Sequence, residues 1–185
     1  MRSFSPRKYS TEPELYAAAL RALMRRSYSV HEMREYLARR AENEEHVGGV
    51  LKKLKEFQYL DDARYARDYA RIHAQHRHQG KFRIARELRA RGVPDKHIEA
   101  ALETDFAETD EAALVRSRLE RRLRQIKDRR GDPLDEKTRA SLYRNLLRAG
   151  FSSDVIRAEL RAATKATANA PDDAELPDPP DPLSF

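Results

Sequence analysis

The segment Leu88-Arg-Ala-Arg-Gly92-Val93 decides the fold, because it recurs 58 residues later as Leu146-Leu-Arg-Ala-Gly150-Phe151. The apolar residues that follow each segment also have the same spacing. The identical positions in the two copies are Leu88/Leu146, Gly92/Gly150, Ile98/Ile156, Ala100/Ala158 and Leu102/Leu160. A weaker third copy lies 51 residues upstream, where the matching apolar positions are Leu37, Val47 and Leu51. The sequence therefore predicts an internal repeat, with chance similarity among Arg-, Ala- and Leu-rich helices as the alternative.

Each copy predicts a unit of three short helices. A further amphipathic helix precedes every copy, at residues 15–26, 62–75 and 111–127. Glycine closes the second helix of the last two units, since it tolerates the left-handed conformation that often ends a helix. A unit of this size buries little apolar surface alone, so neighbouring units should stack. No segment alternates with period two for long, and we predict an all-α fold of three tandem three-helix repeats in an elongated array.

Capping residues mark where the predicted helices begin. Thr11-Glu-Pro-Glu14 and Ser29-Val-His-Glu32 each place a hydroxyl three residues before a carboxylate, which is the capping-box pattern. Asp61 and Asp62 stand at the start of the helix that follows. Adjacent carboxylates also occur in magnesium sites. No partner carboxylate motif accompanies this pair, and capping of exposed backbone N–H groups explains it.

The composition changes sharply near the carboxyl end. Five of the nine prolines and five acidic residues, against one lysine, fall after Arg161. Such a stretch has too little apolar surface to offset the entropy of the chain, so we predict that it is disordered. The predicted segments are an N-terminal extension at 1–12, helical repeats at 13–58, 59–107 and 108–161, and an acidic Pro-rich tail at 162–185.

The charge of the chain is unevenly distributed. The 185 residues carry a net charge of +6, but the last 24 are net −4, so residues 1–161 carry +10. A body this basic indicates an anionic partner, either nucleic acid or an acidic protein surface. Well-solvated Arg/Glu helices have the same composition and are the alternative. We also expect the tail's negative charge to weaken competition for free DNA.

Composition also excludes several classes of protein. The chain has no cysteine, which excludes disulfides, Cys-ligated zinc and thiol catalysis. No apolar run approaches the roughly 18 residues of a membrane span. No apolar segment follows the basic residues of the amino end, so we see no signal peptide. We expect a cytoplasmic protein without membrane contact.

Two blocks of sequence resemble the signature of the RecX family of RecA regulators. They are Tyr59-Leu-Asp-Asp-Ala-Arg-Tyr65-Ala and Arg83-Ile-Ala-Arg-Glu-Leu-Arg-Ala-Arg-Gly92-Val, in the family's order and at its separation. The signature positions are Tyr59, Leu60, Asp61, Asp62, Tyr65, Ile84, Leu88 and Gly92. This sequence departs from the pattern at Gln58, where the family favours Gly, at Tyr65, which replaces Phe, and at Lys81, where Pro is common. The aromatic replacement keeps the packing role, whereas Gln58 and Lys81 could alter turn geometry.

The resemblance covers the helical body from about Leu15 to Leu160 and implies a function. RecX-like proteins are curved helical-repeat proteins that lie in the deep groove of the RecA–DNA filament. They limit filament growth and suppress ATP hydrolysis and strand exchange by RecA in recombination, DNA repair and the SOS response. The resemblance therefore implies a curved array and a non-enzymatic negative regulator whose partner is the RecA filament.

Helix geometry sorts the arginines of the body into inward and outward faces. The candidate contacts to RecA or DNA on the outward faces are Arg67, Arg71, Phe82, Arg86, Arg89, Arg121 and Arg124. The predicted inward residues opposite them are Tyr65, Tyr69, Ile72, Ile84, Leu88, Val115, Leu119 and Ile126. The outward arginines could contact DNA phosphates or an acidic RecA surface. Ordinary solvation of the outer face of a helix is the alternative.

Phe82 is the one aromatic residue among these candidates. Because Arg86 and Arg89 flank it on a polar face, the ring could stack on a base or fill a pocket of a partner. Residues of this kind also cap a neighbouring helix or fill the contact between repeats, and the sequence leaves these roles open.

The histidines near the end of the fourth helix invite a metal-binding interpretation. His73 and His76 share a helix face and could bind a metal as a pair, with His78 nearby. The sequence indicates no further converging ligands, so we predict no metal site and a solvated cluster. It also contains no Ser/His/Asp context, no phosphate-cradling Gly loop and no redox centre, so we predict no catalytic residues, no cofactor and no enzyme activity.

Two other functions compete with regulation of RecA. Residues 82–91, followed by Gly92 and the helix from Pro94, could form a helix-turn-helix of an autonomous DNA-binding protein. The same pattern recurs at residues 142–160, and the repeat explains both copies with one cause. The other alternative is a helical scaffold for an unrelated acidic partner. The partners that we expect are the RecA filament and, weakly, single- or double-stranded DNA, bound by a monomer.

Overall fold

The computed structural model describes residues 8–107, 110–130 and 135–168, and in these ranges the chain forms nine α-helices and no β-strand. The helices are α1 (Glu12–Leu23), α2 (Val30–Ala38), α3 (Glu45–Glu56), α4 (Asp62–Gln75), α5 (Lys81–Ala90), α6 (Asp95–Ala107), α7 (Glu111–Arg130), α8 (Glu136–Arg148) and α9 (Ser153–Ala168). The predicted all-α fold is confirmed. None of the described helices has an apolar stretch long enough to cross a membrane.

The helices form three modules, each with its own apolar core. Module 1 contains α1–α3, module 2 contains α4–α6 and module 3 contains α7–α9. The repeated leucine of the second helix, Leu37, Leu88 or Leu146, is at most 2% exposed in every module. The repeated β-branched residue of the third helix is Val47, Ile98 or Ile156, and it is at most 4% exposed. The repeated apolar positions therefore have the same role in all three modules.

Most helix starts follow the capping pattern of the sequence. Ser29 and Glu32 form the capping box of α2. Asp61 caps α4 with two backbone N–H bonds of 2.8 and 3.1 Å, and these bonds hold the pKa of its carboxyl below the ordinary value. Asp62 differs, because its carboxylate accepts the N–H of Val30, the first residue of α2, at 2.9 Å. Asp61 therefore caps its own helix, whereas Asp62 accepts a hydrogen bond from the first backbone N–H of α2 in module 1.

Glycine ends the second helix in modules 2 and 3. Gly92 follows α5 with φ 70° and Gly150 follows α8 with φ 89°. This left-handed conformation costs a residue with a Cβ about 1–2 kcal/mol. Module 1 has Ala41 at the equivalent position, and there α2 ends without a left-handed residue.

The segment that precedes α1 covers this end of α2. The N–H of Tyr9 donates to the carbonyl of Arg40 at 2.8 Å, and the N–H of Glu42 donates to the carbonyl of Tyr9 at 3.0 Å. Thr11 then caps α1, as the sequence predicts. The segment thus provides hydrogen-bond partners for the Arg40 carbonyl and the Glu42 N–H, which would otherwise bond to water at an exposed helix end.

The second helices of the modules, α2, α5 and α8, are stacked end to end. At one joint the N–H of Gly80 before α5 donates to the carbonyl of Ala149 after α8, at 2.9 Å. At the other joint the Ser29 hydroxyl before α2 donates to the carbonyl of Arg91 after α5, at 2.5 Å. Donors at an amino end therefore meet carbonyls at a carboxyl end, which also aligns the helix dipoles favourably. This stack places module 2 between the other two.

The predicted inward face of α4 is wrong in one position. Ile72 is 46% exposed, whereas Ala66, Ala70, His73 and Ala74 form the buried stripe that packs on α6. Two residues along an α-helix correspond to a rotation of about 200°, so Ile72 lies nearly opposite Ala70. Small side chains on the buried stripe suit the packing of α4 against α6, and the larger residue is left outside.

The predicted start of the disordered tail is also wrong. The helix α9 continues to Ala168, seven residues beyond position 161. Alanine-rich sequence favours the helix, and the Thr164 hydroxyl donates to the carbonyl of Leu160 at 2.8 Å within it. The remaining predicted tail, residues 169–185, lies outside the described residues.

Candidate functional site

The contact between modules 1 and 2, called here the first interface, is centred on the carboxylate of Glu32. Arg91 Nη1 donates to Glu32 Oε1 at 2.8 Å, and Arg26 Nη1 donates to Oε2 at 3.2 Å. The Tyr65 hydroxyl and the N–H of Ser29 donate to Oε2 at 3.3 and 3.2 Å. Only 15% of the Glu32 side chain is exposed, whereas its partner Arg26 is 51% exposed, so the carboxylate is shielded from water and the edge of the network is not. The buried carboxylate of Glu32 is therefore fully paired, by two guanidinium groups that lie at this interface.

The surroundings of Glu32 fix its charge. Burial alone would raise the pKa of Glu32, but the N–H of Ser29 and the guanidinium groups of Arg26 and Arg91 outweigh it and hold that pKa below the ordinary value. Burial, together with the charge of Glu32, raises the pKa of Tyr65 to about 12. The carboxylate is therefore charged and the Tyr65 hydroxyl protonated at neutral pH.

The contact between modules 2 and 3, called here the second interface, joins the ends of α5 and α8 through backbone groups. In addition to the Gly80 bond, the N–H of Phe82 donates to the carbonyl of Gly150 at 3.1 Å. A Cβ added to Gly80 would collide with the backbone of Gly150 and Phe151, and one added to Gly150 would collide with Arg83. The second interface therefore depends on two glycines that let the helix ends approach closely.

A cleft of about 290 Å³ opens between α7 and α8, beside the second interface. We call it the arginine cleft, and its lining residues are Arg118, Leu119, Arg121, Arg122, Gln125, Leu142, Asn145 and Leu146. Its polar groups are three guanidinium groups and two amides, with no carboxylate among these described residues. Guanidinium and amide N–H groups are the donors that bind phosphate oxygens, so the arginine cleft suits a phosphate.

Arg118 connects this cleft to module 2. Its side chain is partly buried, and Nη1 donates to the carbonyl of His78 at 3.3 Å. Burial, followed by the nearby charges of Arg121 and Arg83, lowers the pKa of Arg118. Like charges in one cleft repel each other, and a bound anion would relieve this repulsion.

The structure places all seven predicted contact residues at the surface. The exposed residues are Arg67, Arg71, Phe82, Arg86, Arg89, Arg121 and Arg124. Two of them are already paired, Arg71 with Asp68 at 3.0 Å and Arg89 with Asp95 at 2.6 Å. By contrast, Arg67 and Arg86 form no ion pair with any residue of the described ranges.

Phe82 has its backbone at the second interface and its ring at the surface. Its backbone belongs to the second interface, but its ring is 58% exposed, so the ring does not fill the contact between modules. The ammonium group of Lys81 lies 5.4 Å from the ring centroid. An exposed ring beside a cation is a surface on which a base or an apolar partner can pack.

Only some of the predicted residues come together. Arg121 lies in the arginine cleft near Arg118, and Arg118 also interacts with Arg83 of module 2. No described contact joins Arg67 and Arg71 on α4 to the candidate arginines of α5 or α7. The sequence analysis missed Arg118, although Arg118, Arg121, Arg122 and Gln125 follow a helical spacing that could have indicated one face.

The histidine cluster has a structural explanation at His73. Its Nδ1 lies 2.8 Å from Gln79 Oε1, and its ring stacks on Tyr69 with centroids 3.8 Å apart. Glu87 Oε2 lies 3.8 Å from the same nitrogen and accepts the Tyr69 hydroxyl at 2.6 Å. Within the residues that the structure describes, no three His, Cys, Asp or Glu side chains are placed to hold a metal ion.

The fold is that of a helical-repeat protein, built from three-helix modules joined end to end. Family models of the first and second three-helix domains of RecX match residues 16–54 and 61–102. The chain is 38% identical to the regulatory protein RecX of Halorhodospira halophila, over 83% of this chain and 91% of that protein. It is 34% identical to the regulatory protein RecX of Deinococcus radiodurans, over 92% of this chain and 79% of that protein. The chain belongs to the RecX family.

The chain is also similar to a longer RecX protein and to two RecX crystal structures. Identity to the regulatory protein RecX of Geobacillus kaustophilus is 33%, and the chain spans about half (52%) of that longer protein. The crystal structure of RecX from Lactobacillus salivarius matches with a TM-score of 0.70 and 22% identity, over 83% of this chain and 97% of that one. A second crystal structure of a regulatory protein RecX matches with a TM-score of 0.69 and 25% identity, over 80% and 70% of the two chains. These structures share the fold.

Packing accounts for several positions of the family signature. Leu60, Ile84 and Leu88 are at most 4% exposed and belong to the cores of modules 1 and 2. Tyr59 is different, since it is 51% exposed. Gln58, where the family favours Gly, has φ 56° and so adopts the left-handed conformation that glycine tolerates best.

Proposed function

We propose that this chain is a negative regulator of RecA that acts by binding and not by catalysis. As a monomer in the cytoplasm, it lies in the groove of the RecA–DNA filament, limits filament growth and suppresses ATP hydrolysis and strand exchange. Membership of the RecX family supports the class of function. The observation that carries the mode of binding is the arginine cleft, which three arginines line and no described carboxylate lines. DNA phosphates in the filament are the anions that this cleft would bind.

The end-to-end arrangement of modules supports contact with more than one RecA subunit. The stacked helices α2, α5 and α8 contain 9, 10 and 13 residues. At 1.5 Å per residue the stack is up to about 50 Å long, which exceeds the roughly 30 Å diameter of a small domain. Such a molecule inhibits either by blocking addition at the filament end or by bracing neighbouring subunits so that the ATP cycle stalls.

The first experiment measures ATP hydrolysis by RecA on single-stranded DNA while this protein is titrated well below the RecA concentration. DNA is kept in excess, so that simple competition for DNA cannot imitate an effect. We expect suppression at low ratios, because one molecule acts on several subunits. Full activity of RecA until the two proteins are equimolar would contradict direct action on the filament.

Variants of the cleft separate phosphate contact from folding. We expect Arg118→Gln with Arg121→Gln to weaken suppression at least tenfold and to reduce the salt dependence of filament binding, since two phosphate contacts are lost. Because like charges surround Arg118, its neutral replacement should leave the thermal midpoint unchanged or slightly higher. The control is Arg25→Gln with Arg34→Gln, a pair of exposed arginines in module 1. Equal losses in the two double variants would remove the arginine cleft from the mechanism.

A second set of variants tests the residues singled out from the sequence. Replacing Arg67, Arg71, Arg86 and Arg89 by Glu should abolish inhibition while leaving helicity intact. Unchanged inhibition would contradict their assignment to the binding face.

Independent DNA binding is separated from filament binding by salt titration without RecA. An autonomous DNA-binding protein loses affinity steeply with salt in that assay. The exposed side of α6 carries Glu99 and Glu103, which DNA phosphates would repel in a helix-turn-helix docking of this helix. We therefore expect weak binding to free DNA, in contrast to strong suppression of RecA.

A further inference from the structure

A groove of about 670 Å³ lies between α8 and α9 of module 3, and the function proposed above does not use it. Its lining residues are Glu136, Arg139, Ala140, Tyr143, Arg144, Arg157, Leu160, Arg161, Thr164 and Lys165. Most of its surface is apolar, with five cations and one carboxylate among the side chains. This combination is typical of a site for a peptide that carries both apolar and acidic side chains.

The cations of this groove lack acidic partners within the described residues. Arg139, Arg144, Arg161 and Lys165 form no ion pair there. Arg157 pairs with Asp154 at 3.7 Å, but that carboxylate is 91% exposed, so the pair is weak. The groove therefore keeps an excess of positive charge that an acidic segment would neutralise.

The chain itself contains such a segment immediately after α9. The 17 residues from 169 to 185 contain no lysine or arginine. The acidic residues among them are Asp172, Asp173, Glu175, Asp178 and Asp181. The large apolar residues are Leu176, Leu183 and Phe185, two of them within the last three positions. The segment thus complements the groove in charge and in apolar character.

The length of the segment allows this contact within one molecule. Groove residues on α9 extend from Arg157 to Lys165, about 12 Å at 1.5 Å per residue. The described part of the chain ends at Ala168, three residues beyond this end of the groove. Seventeen residues can span up to about 56 Å when extended, which suffices to turn back and follow the whole groove.

We propose that residues 172–185 dock in the groove between α8 and α9 of the same molecule. The tail carboxylates pair with the arginines and the lysine along the groove, and Leu183 and Phe185 pack on Tyr143 and Leu160. A docked tail neutralises the cations of this face, so that another anion such as DNA must displace it before it binds there. The tail therefore restricts non-specific binding by module 3.

The absence of cysteine from the natural sequence permits a direct test in the full-length chain. Ser184→Cys introduces a single thiol for a nitroxide spin label, whose effect on backbone amide NMR signals is then measured. We expect signal loss concentrated at Ala140, Tyr143 and Leu160. The intensities of these signals should recover at least threefold when salt is raised from 50 to 500 mM, because the Debye length then falls to roughly 4 Å.

Two double variants decide whether the groove holds the tail. Arg161→Glu with Lys165→Glu should restore at least two thirds of the lost signal, because it places like charges against the tail. The matched control, Arg121→Glu with Arg124→Glu, makes the same change of charge on α7 and should leave the signal loss unaltered. Equal recovery in both pairs, or none in the groove pair, would overturn the proposal.

Further measurements exclude folding effects and other occupants. Replacing Leu183 and Phe185 by Ser alters only the tail, and it should also restore the signals at Tyr143. Signal loss spread evenly over the protein, or centred on the arginine cleft, would overturn docking in this groove. Mixing spin-labelled protein with separate isotope-labelled protein should cause no loss, since a loss would identify a second copy as the occupant. RecA is absent throughout, so the outcome does not depend on the function proposed above.

Discussion

At the first interface α5 meets α2 largely through side chains, whereas at the second interface α8 meets α5 through backbone. At the first interface the largely buried carboxylate of Glu32 accepts hydrogen bonds from Arg26, Arg91 and Tyr65. Backbone bonds and close approach of Gly80 to Gly150 make the second interface. A glycine also allows close approach at the first interface, where a Cβ on Gly92 would collide with the side chain of His31. Among the described residues, the two joints therefore differ in the charge network, which is present only at the first.

This difference has a consequence for binding. The two arginines at the first interface, Arg26 and Arg91, both pair with Glu32. Beside the second interface, Arg118 and Arg121 face a cleft that has no lining carboxylate. The arginines beside the second interface therefore have no carboxylate partner among the described residues that line the cleft, in contrast to the arginines at the first interface.

The largest effect that we predict follows Gly150→Ala at the second interface. The new Cβ would both meet the backbone of Arg83 and require a left-handed conformation. The two costs together should destabilise module 3 by about 3 kcal/mol. Hydrogen exchange should show faster opening of α7–α9, with little change in module 1.

The control for this change is Gly48→Ala in α3. Its added Cβ would meet nothing within 4 Å, and alanine is a better helix former than glycine by about 1 kcal/mol. We therefore expect opposite signs for the two Gly→Ala changes. Similar stability of both variants would mean that close approach of backbone does not hold the second interface.

A smaller effect is expected from Glu32→Gln at the first interface. The amide cannot balance two guanidinium groups, so we expect a loss of about 2 kcal/mol in urea unfolding. Glu35→Gln on the same helix is the control, because its side chain is 54% exposed and should contribute less than about 0.5 kcal/mol. An equal loss in both variants would contradict a special role of the buried carboxylate.

Acid should act on the same interface. The pKa of Glu32 lies below the ordinary value of 4.5, so its contribution is complete above pH 4.5 and is lost as the pH falls through the lower value in the folded protein. Unfolding should therefore become easier below about pH 4.5 in the natural chain. Glu32→Gln should show a shallower dependence in that range, and identical slopes would assign acid sensitivity to other groups.

The smallest effect is expected from Gln58→Gly in the loop between α3 and α4. Gln58 has φ 56°, and Gly at this position removes the strain at the expense of greater freedom in the unfolded chain. The balance should stabilise the protein by about 0.5 kcal/mol, visible as a slightly higher thermal midpoint. A lower midpoint would show that the side chain of Gln58 contributes more than its backbone conformation costs.

Much of the local structure was predictable because it depends on neighbouring residues in the chain. Short-range hydrogen bonds explain the helix caps at Thr11, Ser29 and Asp61. Backbone sterics explain why helices end at Gly92 and Gly150. The exposure of Ile72 was not predicted, because the choice of inward stripe depends on which helix packs against α4. When alanines occupy several positions of a helix, helical periodicity alone does not decide which face is buried.

Residues of the candidate site were only partly predictable. Helical spacing identified Arg121 as outward, but it gave no reason to prefer Arg118, whose environment is set by His78 and Arg83 of another module. Asp62 was similarly expected to cap its own helix, and it instead bonds Val30 in module 1. Contacts between modules connect residues more than 30 positions apart, and no local pattern encodes them.

Sequence by itself determined three repeated helical units, their caps, their apolar positions and the resemblance to the RecX family. Periodicity and capping are local properties, set by residues a few positions apart in the chain. Tertiary structure alone decided that Glu32 pairs with Arg26 and Arg91 at the first interface and that Gly80 and Gly150 meet at the second. The physical reason is that charge pairing and close backbone approach depend on distances across the stack, which residues far apart in the chain set together.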